Sequence, residues 1–342
     1  MIDFITSTFT LIQAGLFEHL VEPALHALGL MAYLEPAFDA TEFVLLGLLE
    51  MALLVVLFRP LEAIFPVEYW PSRSGVNTDI LYTALHRLGF IPLMLFVVLL
   101  PLSVNVDEWL RLQGFIPYTL DDVIPGLFNH PALTFLVYLL VLDFVGYWVH
   151  RFQHRLGWWW ALHSLHHSQR TMSYWTDDRA HLLDDLLNGV VFTLVSLLIG
   201  VPPGQFLLLL MTARMVQSLA HANLSLSFGP VGQRILVSPR FHRIHHGMTM
   251  GSVGGPQSCN FAVLFPLWDM VFGTANFTHE IEPTGIDDQL LGRDYGEGFW
   301  RQQSLGLQRF WAALWGQTLV GVRPQFSRKP SATRVPPQSW CR

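Results

Sequence analysis

Three histidine clusters carry the chemistry this sequence can do: His150 and His154 in HRFQH, His163, His166 and His167 in HSLHH, and His242, His245 and His246 in HRIHH. Spacings of three and four put each set on one helical face, where ring nitrogens can converge. Eight imidazoles exceed the four ligands of a structural zinc and the three of a catalytic one. The count therefore predicts two metal ions, with positions left open for water, O₂ or substrate. Imidazole suits iron, zinc and copper alike, so ligand type leaves the metal open. A lone His pair on an apolar helix is ordinarily a hydrogen-bonded core feature. Three clusters beside apolar segments are different, because so many imidazoles near hydrocarbon are costly unless something binds them.

The elements that must position these clusters follow from composition. The chain has 342 residues, 51% hydrophobic and 13% charged, against about 25% charged in a soluble domain. That deficit names lipid as the solvent. Residues 43–58 are apolar apart from Glu50 and stop at Arg59-Pro60; residues 80–101 and 131–149 are further spans. Residues 186–219 form two apolar arms broken at Val201-Pro202-Pro203-Gly204, a break that reads as a hairpin returning the chain to the side it left. The expected fold is an all-α integral-membrane helical bundle with a membrane-embedded hairpin and a histidine-rich metal site on the cytoplasmic face. It divides into an N-terminal non-cytoplasmic or interfacial segment 1–42, a catalytic domain 43–277, and a polar, irregular C-terminal extension 278–342 with a Trp-rich patch at 310–315.

Arginine sets the orientation. Residues 1–58 hold seven carboxylates and no Lys or Arg, which places the N-terminal segment outside the cytoplasm. Three crossings later Arg151, Arg155, Arg170 and Arg179 land inside, and the hairpin returns Arg234, Arg240 and Arg243 to that face. All histidine clusters thus sit on one face. A net charge of −6 with Lys329 as the single lysine leaves no basic surface for nucleic acid. Cys259 and Cys341 make neither a disulfide framework nor a thiolate metal site. The N-terminus lacks a basic n-region and an A-x-A site, so no cleavable signal peptide is expected.

The segments DFVGYWVHRFQH (143–154), WWWALHSLHHS (158–168), Arg179-Ala-His181, His221-Ala-Asn223, SPRFHRIHH (238–246) and NFAVLFPLWDMVFGT (260–274) resemble the fatty acid hydroxylase/sterol desaturase superfamily over about residues 73–277. The resemblance implies a membrane enzyme whose histidines hold two iron ions and use O₂ to hydroxylate or desaturate a C–H bond of a lipid-like substrate, sterol, fatty acyl or related. It implies His181 and His221 as ninth and tenth ligands, delivered to one face by the hairpin between them. It also implies a bacterial inner-membrane location. The bacterial branch usually carries Pro and Glu after the His at 181, whereas this chain has Leu182 and, at the acidic position, Asp184.

Asp143, Tyr147, His150 and His154 make one stripe down the third span. An acid there needs a partner, either the outer N–H of a ligating imidazole or a neighbouring helix. Asp178, Asp184 and Asp185 flank His181, and Asn223 follows His221; Asp143, Asp178, Asp184 and Asn223 are the expected supports of the ligands. Asn260 and Asp269 read as structural. The Trp158–Trp160 run suits a channel wall or an interfacial belt, and Arg151, Arg155, Arg240 and Arg243 suit docking of an acidic donor or the positive-inside bias alone. No G-x-G-x-x-G or C-x-x-C-H motif occurs, so electrons are expected from a separate ferredoxin, cytochrome b5-like protein or reductase. A zinc hydrolase is disfavoured by the absence of H-E-x-x-H, a bis-His haem protein by the surplus of histidines, and a metal transporter by ligands at span ends instead of mid-span.

Overall fold

The computed structural model describes residues 2–70, 72–73, 75–116, 118–199, 203–248, 258–278 and 282–316. Ten helices matter for the site: α1 (Ile2–Leu16), α2 (Leu34–Leu53), α3 (Val76–Arg87), α4 (Phe90–Leu112), α5 (Pro131–Arg155), α6 (Gly157–His167), α7 (Leu182–Ile199), α8 (Pro203–His221), α9 (Pro239–His245) and α10 (Phe299–Leu314). The described residues form no strand beyond an isolated antiparallel bridge between Gly247 and Thr284. The chain is an all-α membrane protein.

Among the described residues, four helical stretches are long and apolar enough to cross a bilayer: Met31–Ile64, Phe90–Leu112, Pro131–Arg155 and Leu182–Ile199. Leu93, Phe96 and Val97 on α4 are about 60% exposed, which suits side chains whose solvent is lipid. The first stretch is longer than the expected 43–58, because α2 runs through a π-helical turn, Leu54–Phe58, into a further helix, Arg59–Ile64. The second begins later than residue 80. Gly89 adopts φ 87°, which breaks the helix after α3, and α3 keeps Asp79 and Arg87 buried against polar partners. The hairpin is seen as its arms, α7 and α8; residues 200–202 of the expected turn lie outside the described residues, and Pro203 already opens α8.

Close helix approaches need glycine at two places. A Cβ on Gly47 would fall 1.8 Å from the Arg87 carbonyl oxygen, so α2 meets α3 at backbone range, and one on Gly189 would fall 2.7 Å from Leu99 Cδ1, so an α4 side chain packs onto the α7 backbone.

The C-terminal extension is more than an irregular tail. Phe299, Gln302, Gln303, Gly306 and Arg309 are buried along one face of α10, the spacing of an amphipathic helix. Tyr295, just ahead of α10, bonds back to α6: its hydroxyl donates to the Ala161 carbonyl at 2.8 Å and pairs with Ser164 Oγ at 2.7 Å. Alternating glutamine and arginine made this segment read as polar. Residues 317–342 lie outside the described residues.

Candidate metal centre

Two helix ends and two short elements deliver the imidazoles. The last two turns of α5 carry His150 and His154, α6 carries His163, His166 and His167, α8 ends on His221, and α9 with the residue after it carries His242, His245 and His246. Ser238 caps α9, its hydroxyl accepting from the Phe241 amide at 3.2 Å. Eight of these rings fall into two groups. His150, His154, His167 and His245 offer ligand nitrogens all within 4.8 Å of one another, and so do His166, His221, His242 and His246. His167 stacks on His246 with ring centroids 4.2 Å apart, so the two groups adjoin.

The outer nitrogens are fixed by the backbone. His150 Nδ1 donates to the Phe261 carbonyl at 2.8 Å, His245 Nδ1 to Cys259 at 2.8 Å, His166 Nδ1 to Arg179 at 3.2 Å and His221 Nδ1 to Gln217 at 2.8 Å. A carbonyl only accepts, so each of these Nδ1 atoms carries the proton and each Nε2 presents a lone pair inward. His166 Nε2 and His221 Nε2 then face each other at 3.0 Å. Two lone pairs at that distance repel unless a cation lies between them. Metal–nitrogen bonds of about 2.0–2.1 Å place neighbouring ligand nitrogens roughly 3 Å apart, and the pairs His221–His242, His242–His246 and His167–His245 stand at 3.0, 3.1 and 3.2 Å. Both nitrogens of His154, Nε2 of His163, and Nδ1 of His167 and His242 are buried without a hydrogen-bond partner among the described residues. The donor set fits two cations.

Protonation agrees with this geometry. Burial, reinforced by neighbouring imidazoles, holds His166, His167, His242 and His246 well below the usual histidine range, and pushes His245 down to about 3. Neutral imidazole is the form that binds metal.

His163 sits between the groups. Its ring lies 5.1 Å from His150 and 5.3 Å from His166, and its Nδ1 bonds Asp184 Oδ2 at 3.1 Å. Asp184 also accepts from Gln153 at 2.8 Å and the Trp159 indole at 2.7 Å. Asp184 thus bonds a ligand candidate, and Trp159 in the Trp run is one of its anchors.

Other sequence expectations are redirected. His181 stands apart from both groups: Nε2 donates to the Gln303 carbonyl at 2.8 Å, Nδ1 accepts from the Leu183 amide at 3.1 Å, and the ring abuts Gly306 of α10. With both nitrogens occupied it has none for a metal. Asp143 meets no imidazole among the described residues. It accepts from the amides of Leu264 and Phe265 at 2.8 and 3.1 Å and from the Trp268 indole at 3.0 Å, so it holds the segment whose Phe261 carbonyl orients His150. Asp178 bonds Arg87 Nε at 2.9 Å, and its neighbour Asp177 lies 3.6 Å from His221 Nδ1. Burial, with Asp178 alongside, pushes Asp177 above the usual carboxylate range. Asn223 exchanges hydrogen bonds with the Glu68 backbone at 3.1 and 2.8 Å. Arg243 is fully buried against Glu68 and so cannot meet an acidic partner, whereas the half-buried Arg151 leans over Trp148.

Asn260 and Asp269 are structural with a purpose. Asn260 takes φ 59° between Cys259 and Phe261, whose carbonyls hold His245 and His150, and its amide donates to Phe241 and Asn276 at 2.9 Å each. Asp269 accepts from the Phe261 and Ala262 amides at 2.9 and 2.8 Å. Asp177 and Gln153 were not read as supports, and the carbonyls of Arg179, Gln217, Cys259 and Phe261 were invisible, because backbone acceptors leave no side-chain signature.

Below the imidazoles opens a cavity of about 830 Å³ between α4, α5, α7 and α8, with His150, His163, His166, His221 and His242 at one end and Leu139, Leu197 and Leu209 at the other. From His150 to Leu139 is eleven residues of α5, roughly 16 Å of depth at 1.5 Å per residue.

Comparison with known proteins agrees. The sequence profile of the fatty acid hydroxylase family matches residues 135–274. Alkylglycerol monooxygenase of Danio rerio is 32% identical over 143 residues, 42% of this chain and 30% of that protein. Ornithine lipid hydroxylase OlsE of Rhizobium tropici is 27% identical over 164 residues, 48% of this chain and 47% of that protein. Methylsterol monooxygenase 1-3 of Arabidopsis thaliana is 27% identical over 142 residues, 40% and 46% of the two chains. Each match thus spans less than half of the relative. No solved structure matches. Residues 135–274, which hold all eight imidazoles of the two groups, are the part of the chain that the fatty acid hydroxylase family matches, which supports the resemblance to the fatty acid hydroxylase/sterol desaturase superfamily.

Proposed function

We propose that this protein is an integral-membrane oxidoreductase that uses two iron ions and O₂ to hydroxylate or desaturate a C–H bond of a lipid-like substrate. The observation that carries the reading is the opposed pair of Nε2 lone pairs on His166 and His221, in a double four-imidazole cluster capping an apolar cavity. His150, His154, His167 and His245 would hold one ion, and His166, His221, His242 and His246 the other, with His163 between them. When bound there, iron would supply the O₂ activation that an unactivated C–H bond requires. Named relatives oxidise alkylglycerols, ornithine lipids and methylsterols, which supports a lipid substrate here.

The chain's own residues do the positioning. Carbonyls of Phe261, Cys259, Arg179 and Gln217 fix four tautomers, and Asp184 fixes a fifth. The apolar walls keep water from the reacting carbon and seat an alkyl group beneath the imidazoles. Hydroxylation consumes one O₂, two electrons and two protons and yields the alcohol and water, so a reductant is needed. An external donor, a ferredoxin, cytochrome b5-like protein or reductase, would meet the arginine-rich face, which the charge bias assigns to the cytoplasmic side of a bacterial inner membrane. Lipid extracts of cells expressing the full chain and of cells expressing His166→Ala test this. Oxygenated or newly unsaturated lipids should appear with the former alone; indistinguishable extracts would overturn the reading.

A further inference from the structure

The cavity is graded in polarity along its depth. At its deep end Leu139, Leu197 and Leu209 line it, and the hydroxyls of Ser103, Thr193 and Ser196 are of a kind helix carbonyls can satisfy. Within two helical turns of the imidazoles the wall instead carries Asn188, Gln217 and Arg214. Gln217 lies one turn before His221, and Arg214 a further turn down, roughly 10 Å from His221 along α8.

The charges in this upper region already have partners. Asp184 accepts three bonds, Asp177 faces Arg87 at 3.2 Å, His86 faces Asp185 at 3.2 Å, and Arg214 faces Glu50 at 3.8 Å. What is left over is two neutral side-chain amides and the unused donors of the paired Arg214. The Gln217 side chain makes no hydrogen bond to any described residue, Asn188 only accepts a long one from Gln153 at 3.4 Å, and the Arg214 guanidinium adds no hydrogen bond to its ion pair. Amides left short of partners against an apolar wall are costly, and an amide both donates and accepts, which suits a hydroxyl or another amide. An anionic head would find no unpaired cation.

We infer that the cavity takes a lipid whose uncharged, hydroxyl- or amide-bearing head seats against Gln217, Asn188 and Arg214 while its apolar tail runs away from the imidazoles. Oxidation then falls on a carbon near the head and not at the methyl end. This rests on the oxygenase reading for the chemistry, but the head preference is a property of the cavity alone.

Binding and reaction position test it separately. Purified full-length protein is titrated with 1-O-hexadecylglycerol, hexadecanoate and hexadecane. The glyceryl ether should bind about tenfold tighter than either of the others, the size of one good hydrogen bond. Gln217→Leu and Asn188→Leu, apolar changes that a membrane helix tolerates, should erase that preference without changing metal content. Equal or tighter binding of hexadecanoate, or a preference that survives both variants, overturns the inference. Cells expressing the chain are then fed tetradecyl- and octadecylglycerol under ¹⁸O₂. Label or unsaturation at the same carbon counted from the head supports the inference, and a position that tracks the methyl end overturns it. A binding preference without any oxidised product would sink the oxygenase reading and leave head recognition standing; oxidised product without the preference would do the reverse.

Discussion

At the scale of single residues, the site depends on which nitrogen of each ring is free. Losing any of the eight grouped imidazoles vacates a coordination position, so His154→Ala and His246→Ala should each lower metal content and abolish turnover while the protein still inserts. His181→Ala should keep its metal, because both ring nitrogens already serve α10 and its own helix start; its expected cost is stability, about 1–3 kcal/mol for a buried hydrogen-bonded group, read as a lower melting point. Asp184→Asn should lower activity or metal affinity by about 10- to 100-fold, the usual loss for a carboxylate that orients a ligand. Acid should act through the same rings. His245 is held down to about 3 in the fold against an ordinary 6.5, so the unfolded chain binds the extra proton first. Its stabilising contribution is whole above about 6.5 and shrinks as pH falls toward 3, by about 1.4 kcal/mol per unit. Thermal stability measured from pH 7.5 down to 4.5 should therefore fall steadily; a flat profile would contradict neutral buried imidazoles. The three histidine clusters were legible because three- and four-residue spacings put each set on one helical face. His181 misled because a motif records proximity in sequence, whereas its ring turns toward a C-terminal helix 122 residues away.

Among the elements, the apolar helices were legible in the sequence and their junctions were not. Hydrophobic runs located α4, α5, α7 and α8, yet the π turn after α2 and the break at Gly89 depend on local backbone geometry that hydropathy does not encode. Asp143 was visible as an acid in an apolar span, but its partners are amides of the 264–265 loop, which no helical periodicity reveals. Asn can offer only one acceptor oxygen where Asp143 offers two, so Asp143→Asn should loosen that loop and, through the Phe261 carbonyl, the aim of His150. Limited proteolysis near residue 265 should rise, and turnover should fall without complete metal loss. Gly189 sets the width of the cavity. A Cβ there meets Leu99 Cδ1 at 2.7 Å, so Gly189→Val should push α7 from α4 or fill the cavity, and turnover of long substrates should drop while metal content holds.

For the whole molecule, composition and arginine bias gave a membrane protein with one metal-bearing face, and the described helices agree on the bundle and the convergence of α5, α6, α8 and α9. The role of α10 was hidden because its buried face is built from Gln302, Gln303, Gly306 and Arg309, residues that pattern as surface. Sidedness is open to direct labelling. With Cys259 and Cys341 replaced, single cysteines at the exposed positions Asp122 and Arg234 should react from opposite sides of the membrane, and reaction from one side would refute the expected crossings. The central claim, two metal ions in two four-imidazole groups, is tested most directly by elemental analysis of iron and zinc per chain on purified full-length protein, read beside its absorption spectrum. The account predicts close to two irons per chain and no Soret band. A single ion per chain, or zinc in an enzyme that still oxidises lipid, would contradict it.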